Sequence, residues 1–182
     1  MTRGDWATYY GAKWGKVGFY GNKIHQVGGL SLFRGASRLN LDAKGRLAIP
    51  TRYRERLNEC CASELVITID KDRCLLVYPL PEWQEIERKL NKLPSYNKAA
   101  RNLQRLLVGH ATEVDMDAQG RVLLPQTLRE FAGLQKQAML VGQGNKFELW
   151  DEERWYEQRD AGLNDMDFDQ LNLPADLETL SL

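Results

Sequence analysis

The sequence has only two histidines, His25 and His110, and three cysteines, Cys60, Cys61 and Cys74. Neither histidine stands at a metal-ligand spacing from a cysteine or carboxylate, and the cysteines form no C-x-x-C pair. No serine sits in a nucleophile-elbow context. A catalytic reading therefore has no residues to rest on, and no metal or cofactor is expected. An odd number of cysteines, two of them adjacent, is no disulfide framework and fits a reducing cytoplasm. No apolar run is long enough to span a bilayer. The N-terminus lacks the apolar core of a signal peptide. The expected location is the cytoplasm, with no membrane partner. The formal net charge is zero, which excludes a uniformly basic nucleic-acid binder.

The charge is unevenly placed, however. Between Arg34 and Arg56 stand seven basic residues (Arg34, Arg38, Lys44, Arg46, Arg52, Arg54, Arg56) against Asp42 and Glu55. From Asp151 to the end, ten acids face Arg154 and Arg159. A neutral total hides a basic segment and an acidic tail. Either these are two solvated faces, or the basic segment meets an anionic partner.

Residues 41–50 read LDAKGRLAIP and residues 116–125 read MDAQGRVLLP. The match extends both ways from this decapeptide. FRGASRLNLD lies over VGHATEVDMD, and TRYRERL lies over QTLREFA, pairing Arg54 with Arg129 and Glu55 with Glu130. After a three-residue slip, Tyr78 meets Trp150 and Trp83 meets Trp155. A whole strand-turn-strand-helix unit has been duplicated. In the first unit Leu39 and Leu41 alternate with Arg38 and Asn40, and Leu47 and Ile49 with Arg46 and Ala48, as in strands. Asp42 to Gly45 is a turn: Asp accepts backbone N–H groups and Gly takes a positive φ. Asp117 to Gly120 repeats it. Pro50 ends the second strand and opens a helix carrying Tyr53 and Leu57. Strands follow at 65–69 and 74–78. Trp83, Ile86, Leu90 and Leu93 form a helical stripe within 81–93, and a further helix spans 97–108. One such unit is too small to bury a core, so the two are expected to pack about a pseudo-two-fold axis in an α+β fold. The boundaries are an extension at 1–31, units at 36–83 and 112–155, a helical connector at 84–111 and a tail at 156–182.

Arg46 and Arg121 follow the turn glycines. Asp42 and Arg46, like Asp117 and Arg121, stand across a tight turn and can form a surface ion pair, worth roughly 0–1 kcal/mol. Alternatively each arginine begins a strand and projects outward, where its fork matches N7 and O6 of guanine in the major groove. Lys44 at the turn tip suits a phosphate. The two readings are compatible, the aspartate then fixing the direction of the arginine.

The doubled D-x-x-G-R motif, LFRGAS, LLVYPLPEW and VGQGNKFELW resemble the MraZ family of bacterial transcriptional regulators over nearly all of 32–182. The resemblance implies tandem SpoVT/AbrB-like swapped-hairpin β-barrel units with flanking helices, assembled as a ring-forming homo-oligomer. It implies binding to double-stranded DNA at G-rich, TGGG-type direct repeats ahead of a division and cell-wall gene cluster, usually as a repressor, on the nucleoid. The family's DNA-binding arginine falls on Arg46 and Arg121, with Arg34, Arg38, Lys44 and Gln119 beside them and Asp42, Gly45, Asp117 and Gly120 shaping the turns. Because the second unit has Gln119, Gly109 and Glu113 where the first has Lys44, Arg34 and Arg38, the first is expected to make most phosphate contacts. A toxin-neutralising relative of this fold generally carries one motif copy, and two copies argue against that role.

Residues 1–31 have no counterpart before the second unit, and a flexible arm is the plain reading. The sharper expectation is that they are not normally translated and are the operator read in frame. Trp14-Gly15 forces TGGG in the gene. GTG at Val17 and TAT-GGG at Tyr20-Gly21 would restore it at steps of about ten bases, near one turn of DNA. Leu32 would then be a TTG or CTG start. The gene is expected to carry those codons, and mass spectrometry of the cellular protein to show an N-terminus at position 32. Other codons, or an N-terminus at Met1 or Thr2, overturn the expectation.

Overall fold

In a computed structural model the structure describes residues 33–165. The first repeat runs β1 (Phe33–Asn40), β2 (Arg46–Ala48), α1 (Thr51–Cys61), β3 (Glu64–Ile69), β4 (Leu75–Pro79) and α2 (Leu80–Leu90). Helix α3 (Lys98–Leu107) leads into the second: β5 (Thr112–Asp115), β6 (Arg121–Leu123), α4 (Gln126–Ala132), β7 (Gln137–Gly144), β8 (Lys146–Asp151) and α5 (Glu152–Asp165). This is a mixed α+β chain with five helices and antiparallel pairing among the described residues. No helix there is long and apolar enough to cross a membrane.

The strands order as β1-β7-β8-β4-β3-β5, with β2 and β6 forming a separate two-stranded ribbon. The repeats therefore exchange their first strands. β1 pairs with β7 of the second repeat, from Phe33 opposite Gly144 to Asn40 opposite Gln137. β5 pairs with β3 of the first, Leu65 opposite Val114. β4 and β8 meet at the centre, Leu75 opposite Leu149. The ribbon also joins the repeats, Leu47 opposite Val122.

Side-chain alternation explains how one sheet serves two cores. Leu65, Ile67, Leu75, Val77, Leu140 and Leu149 face one way, onto α1, α4 and the inner side of the ribbon. Val66, Leu76, Tyr78, Met139, Val141 and Trp150 face the other way, where Trp83 of α2 packs. Strands apolar on both faces read as continuous hydrophobic runs because both faces are covered. Buried Thr68 donates its hydroxyl to the carbonyl of Leu107 at 2.6 Å, tying the end of α3 to the sheet.

Most expected elements lie within a residue or two of their observed bounds. The 97–108 helix is α3, capped by Asn97, whose side-chain oxygen accepts the N–H of Ala99 at 2.8 Å and of Ala100 at 3.2 Å. On α2, Trp83 and Leu90 are buried and Ile86 is half-buried, whereas Leu93 lies in the turn beyond the helix. The expectations for 1–31 and for the tail past 165 fall outside the described residues.

Phe33 and Phe147 lie with centroids 4.3 Å apart, and Tyr53 meets Phe147 edge-on at 4.9 Å. Phe33 belongs to the first repeat and Phe147 to the second. Phe147→Ala should cost about 3–5 kcal/mol in urea unfolding. Paired with Phe33→Ala it should be non-additive by about 0.5–1.5 kcal/mol. Additive losses would mean that the exchanged strand does not pack as described.

Candidate nucleic-acid interface

Each D-x-x-G-R segment builds its turn almost entirely from itself. Asp42 Oδ1 accepts the backbone N–H of Lys44 and of Arg46, both at 2.9 Å. The N–H of Gly45 donates to the Asp42 carbonyl at 2.9 Å, and the N–H of Asp42 to the carbonyl of Arg46 at 2.8 Å. Asp42 Oδ2 then takes Arg46 Nε and Nη2, each at 2.7 Å. The second turn repeats the set: Asp117 Oδ1 accepts the N–H of Gln119 and Arg121, and Oδ2 takes Arg121 Nε at 2.9 Å and Nη2 at 2.8 Å. Gly45 at φ +79° and Gly120 at φ +76° occupy the left-handed region that the turn requires.

These bonds lower both carboxyl pKa values. The backbone N–H of Arg46, then its guanidinium, holds Asp42 down to about 2. At Asp117 the Arg121 side chain leads, followed by its backbone N–H.

The ion pair does not exhaust the arginine. Nε and one N–H of Nη2 go to the aspartate, leaving Nη1 and the other Nη2 hydrogen without a partner among the described residues. Those terminal donors are the fork that fits guanine N7 and O6. The expected ion pair thus forms and aims the group.

Ribbon pairing sets the two arginines on one surface. Arg46 lies opposite Leu123, and Ala48 opposite Arg121. These four side chains share the outward face, while Leu47 and Val122 point into the core. The turn tips, Lys44 and Gln119, are exposed at opposite ends of the ribbon.

Two further arginines hold those ends. Arg54 of α1 donates Nε to the carbonyl of Ile49 at 2.6 Å, and Arg129 of α4 to that of Leu124 at 3.2 Å. Each guanidinium lies over the glycine of the other repeat's turn. A Cβ on Gly45 would come within 2.6 Å of Arg129 Cζ, and one on Gly120 would strike the Arg54 guanidinium. The N–H of Ile49 donates to Gly120 and that of Leu124 to Gly45, at 2.8 and 3.0 Å. The repeat alignment carried the signal for Arg54 and Arg129, both matched in register, although the charge reading gave them no role.

The other expected contacts lie off the ribbon. Arg34 is exposed on β1, where its carbonyl accepts the Tyr53 hydroxyl at 2.6 Å. Arg38, also on β1, is held by Glu152 of α5 through Nε at 2.6 Å and Nη2 at 2.8 Å, and by Gln137. Charge is thus redistributed relative to the linear reading. Lys44 borders an open hollow of about 630 Å³ shared with Arg129 and the second repeat's Glu113 and Asp115. Gln119's turn instead receives Arg54 from the basic first repeat.

Among the described residues no three His, Cys, Asp or Glu side chains gather as a metal site. A hydrogen bond with Cys60 and burial push the Cys61 thiol up, and burial does the same for Cys74.

The family model described as MraZ protein, antitoxin-like, matches twice, over residues 32–106 and 107–175. The chain is similar to proteins called transcriptional regulator MraZ. That of Thioalkalivibrio sulfidiphilus is 57% identical over 151 residues, and that of Halorhodospira halophila 55% over 152. That of Serratia proteamaculans is 57% identical over 152 residues. Each match covers 83% of this chain and all of the relative.

A depressed carboxylate stabilises the turn above its unfolded pKa, and that contribution is lost as the pH falls through the folded value. The Asp42 carboxyl is therefore expected to titrate near pH 2 by carbon-detected NMR, with the turn unchanged from pH 5 to 8. Arg46→Ala should raise that midpoint only part of the way, because the two backbone N–H bonds remain. A midpoint at the ordinary aspartate value in the unaltered protein would refute this geometry.

Proposed function

The chain belongs to the MraZ family, and on that footing we propose that it is a transcriptional regulator that binds double-stranded DNA through the β2–β6 ribbon. The observation carrying this reading is the placement of Arg46 and Arg121 on one outward face, each held by an aspartate yet keeping three N–H donors on its two terminal nitrogens. Two strands about 4.8 Å apart fit a major groove about 12 Å wide. Arg46 and Arg121 read guanines. Lys44 and Gln119 at the turn tips meet phosphates or sugars, and Arg34 and Arg38 flank them, Arg38 on leaving Glu152. Asp42, Gly45, Asp117 and Gly120 shape the reading turns.

The target is a set of TGGG-type direct repeats at about one helical turn, lying in the promoter of its own division and cell-wall gene cluster. The outcome is repression, on the nucleoid, in the cytoplasm. The exchange of β1 and β5 between repeats supports the swapped-hairpin reading of each unit. A ring of several chains makes weak single contacts sufficient, since tethered readers act at high effective concentration. The relatives' family is one of regulators and not of enzymes.

Arg46→Ala should abolish specific binding and Arg121→Ala should weaken it, at about 1–3 kcal/mol for each lost guanine contact, with the oligomer unchanged by size-exclusion chromatography. Lys44→Ala should lower affinity for all sequences alike and reduce the salt slope by about one. Anisotropy against TGGG-repeat and scrambled duplexes checks all three. Full specific affinity in Arg46→Ala would leave the arginine only its ion-pair role.

A further inference from the structure

Five large apolar residues stand well exposed among the described residues: Tyr96, Leu103, Leu123, Tyr156 and Leu163. Four lie on helices or the connector. Leu123 is different, because it occupies an outward position of a three-residue strand whose other outward residue is Arg121. It is 55% exposed, in contrast to its chain neighbours Val122 and Leu124 at 1% each. Its folding role is therefore slight, and a polar side chain would serve solubility better there. Single exposed leucines are common and need no explanation by themselves. What singles this one out is its surroundings: Arg46 directly across the ribbon, Arg121 two places before it, Lys44 beside it at the rim of one hollow.

We propose that Leu123 is a specificity-determining residue that packs on the C5-methyl group of a thymine next to the guanine read by Arg46. The inference rests on the DNA-binding reading given above. Directly opposed side chains on an antiparallel pair lie about 4.5–5.5 Å apart, and successive base pairs about 3.4 Å apart. With Arg46 on a guanine, Leu123 falls on the same base pair or the next. The thymine methyl is the apolar feature of the major-groove edge, where the other bases present hydrogen-bonding groups. Leucine over those groups would strip their water and return no bond, whereas over a methyl it removes apolar surface from water on both sides. The position opposite Arg121 carries Ala48, with a single methyl group. The larger methyl contact therefore belongs to the Arg46 side, and the ribbon's two halves differ in how strongly they favour a thymine beside their guanines.

The test uses the full chain and two duplexes, one carrying TGGG at steps of about ten base pairs and the other with deoxyuridine in place of each repeat's thymine. This exchange removes the methyl and leaves every hydrogen-bonding group. The unaltered protein should bind the deoxyuridine duplex more weakly, by about fourfold for each methyl contacted. Leu123→Ala should bind both duplexes alike, and Ala48→Leu should widen the difference. Equal affinity of the unaltered protein for both duplexes overturns the inference while leaving the function intact, whether or not a variant folds. Undiminished discrimination by Leu123→Ala also overturns it. Failure of the unaltered protein to prefer the thymine duplex over a scrambled one overturns the proposed function, and this inference with it.

Discussion

A ribbon of three residue pairs cannot stand alone in water, so everything at this surface depends on what clamps β2 to β6. The clamp is reciprocal. Beyond the short ladder, the N–H of Ile49 reaches Gly120 and that of Leu124 reaches Gly45. Arg54 and Arg129 then close over those same glycines from opposite repeats. Each glycine answers two demands together, a left-handed φ and the absence of a Cβ where a guanidinium lies. Below the ribbon, Leu47 and Val122 join the core formed by the exchanged strands. The outward arginines are thereby carried on a platform to which both repeats contribute.

On this platform the aspartate–arginine pairs matter for direction more than for strength. Exposed ion pairs contribute little to stability, and both Asp42 and Asp117 are solvent-facing. Each carboxylate does two things: one oxygen gathers the N–H groups of the turn, and the other fixes the arginine that ends it. An arginine held in this way has lost its rotamer freedom in folding rather than at the moment of contact. Arg38 shows the opposite case. Its fork is committed to Glu152 and Gln137, so its use elsewhere requires breaking that arrangement.

The turns were legible in the sequence because all that shapes them lies within five consecutive residues. The helices were legible from their stripes and prolines, and the duplication from the doubled decapeptide. Strand exchange was not legible in the alternation, since the two pairings, own-hairpin and other-hairpin, bury the same alternating residues; only the family resemblance implied it. From that gap the others follow. Charge counted along the chain put Arg38 in a basic neighbourhood, yet Glu152, 114 residues away, neutralises it. The same counting divided the basic residues by repeat, whereas the fold delivers Arg54 to the second turn and Arg129 to the first. Leu123 is the repeat counterpart of Ala48. Alternation puts its side chain on the face of Arg121, and only the ribbon register shows Arg46 directly opposite it.

The exchanged strands also settle a question of polarity. Two identical single-unit chains joined in this way would have a true dyad, and such a reader looks the same travelling either way along a duplex, as palindromes demand. Here both units lie in one chain, and the dyad is only approximate. It is broken on the ribbon's outward side, where Lys44 answers Gln119 and Ala48 answers Leu123. The ribbon therefore has a head and a tail. Copies of it set in file along DNA, as the proposed function has them, would all point the same way, and the order of bases, not merely their identity, would then be part of what they recognise.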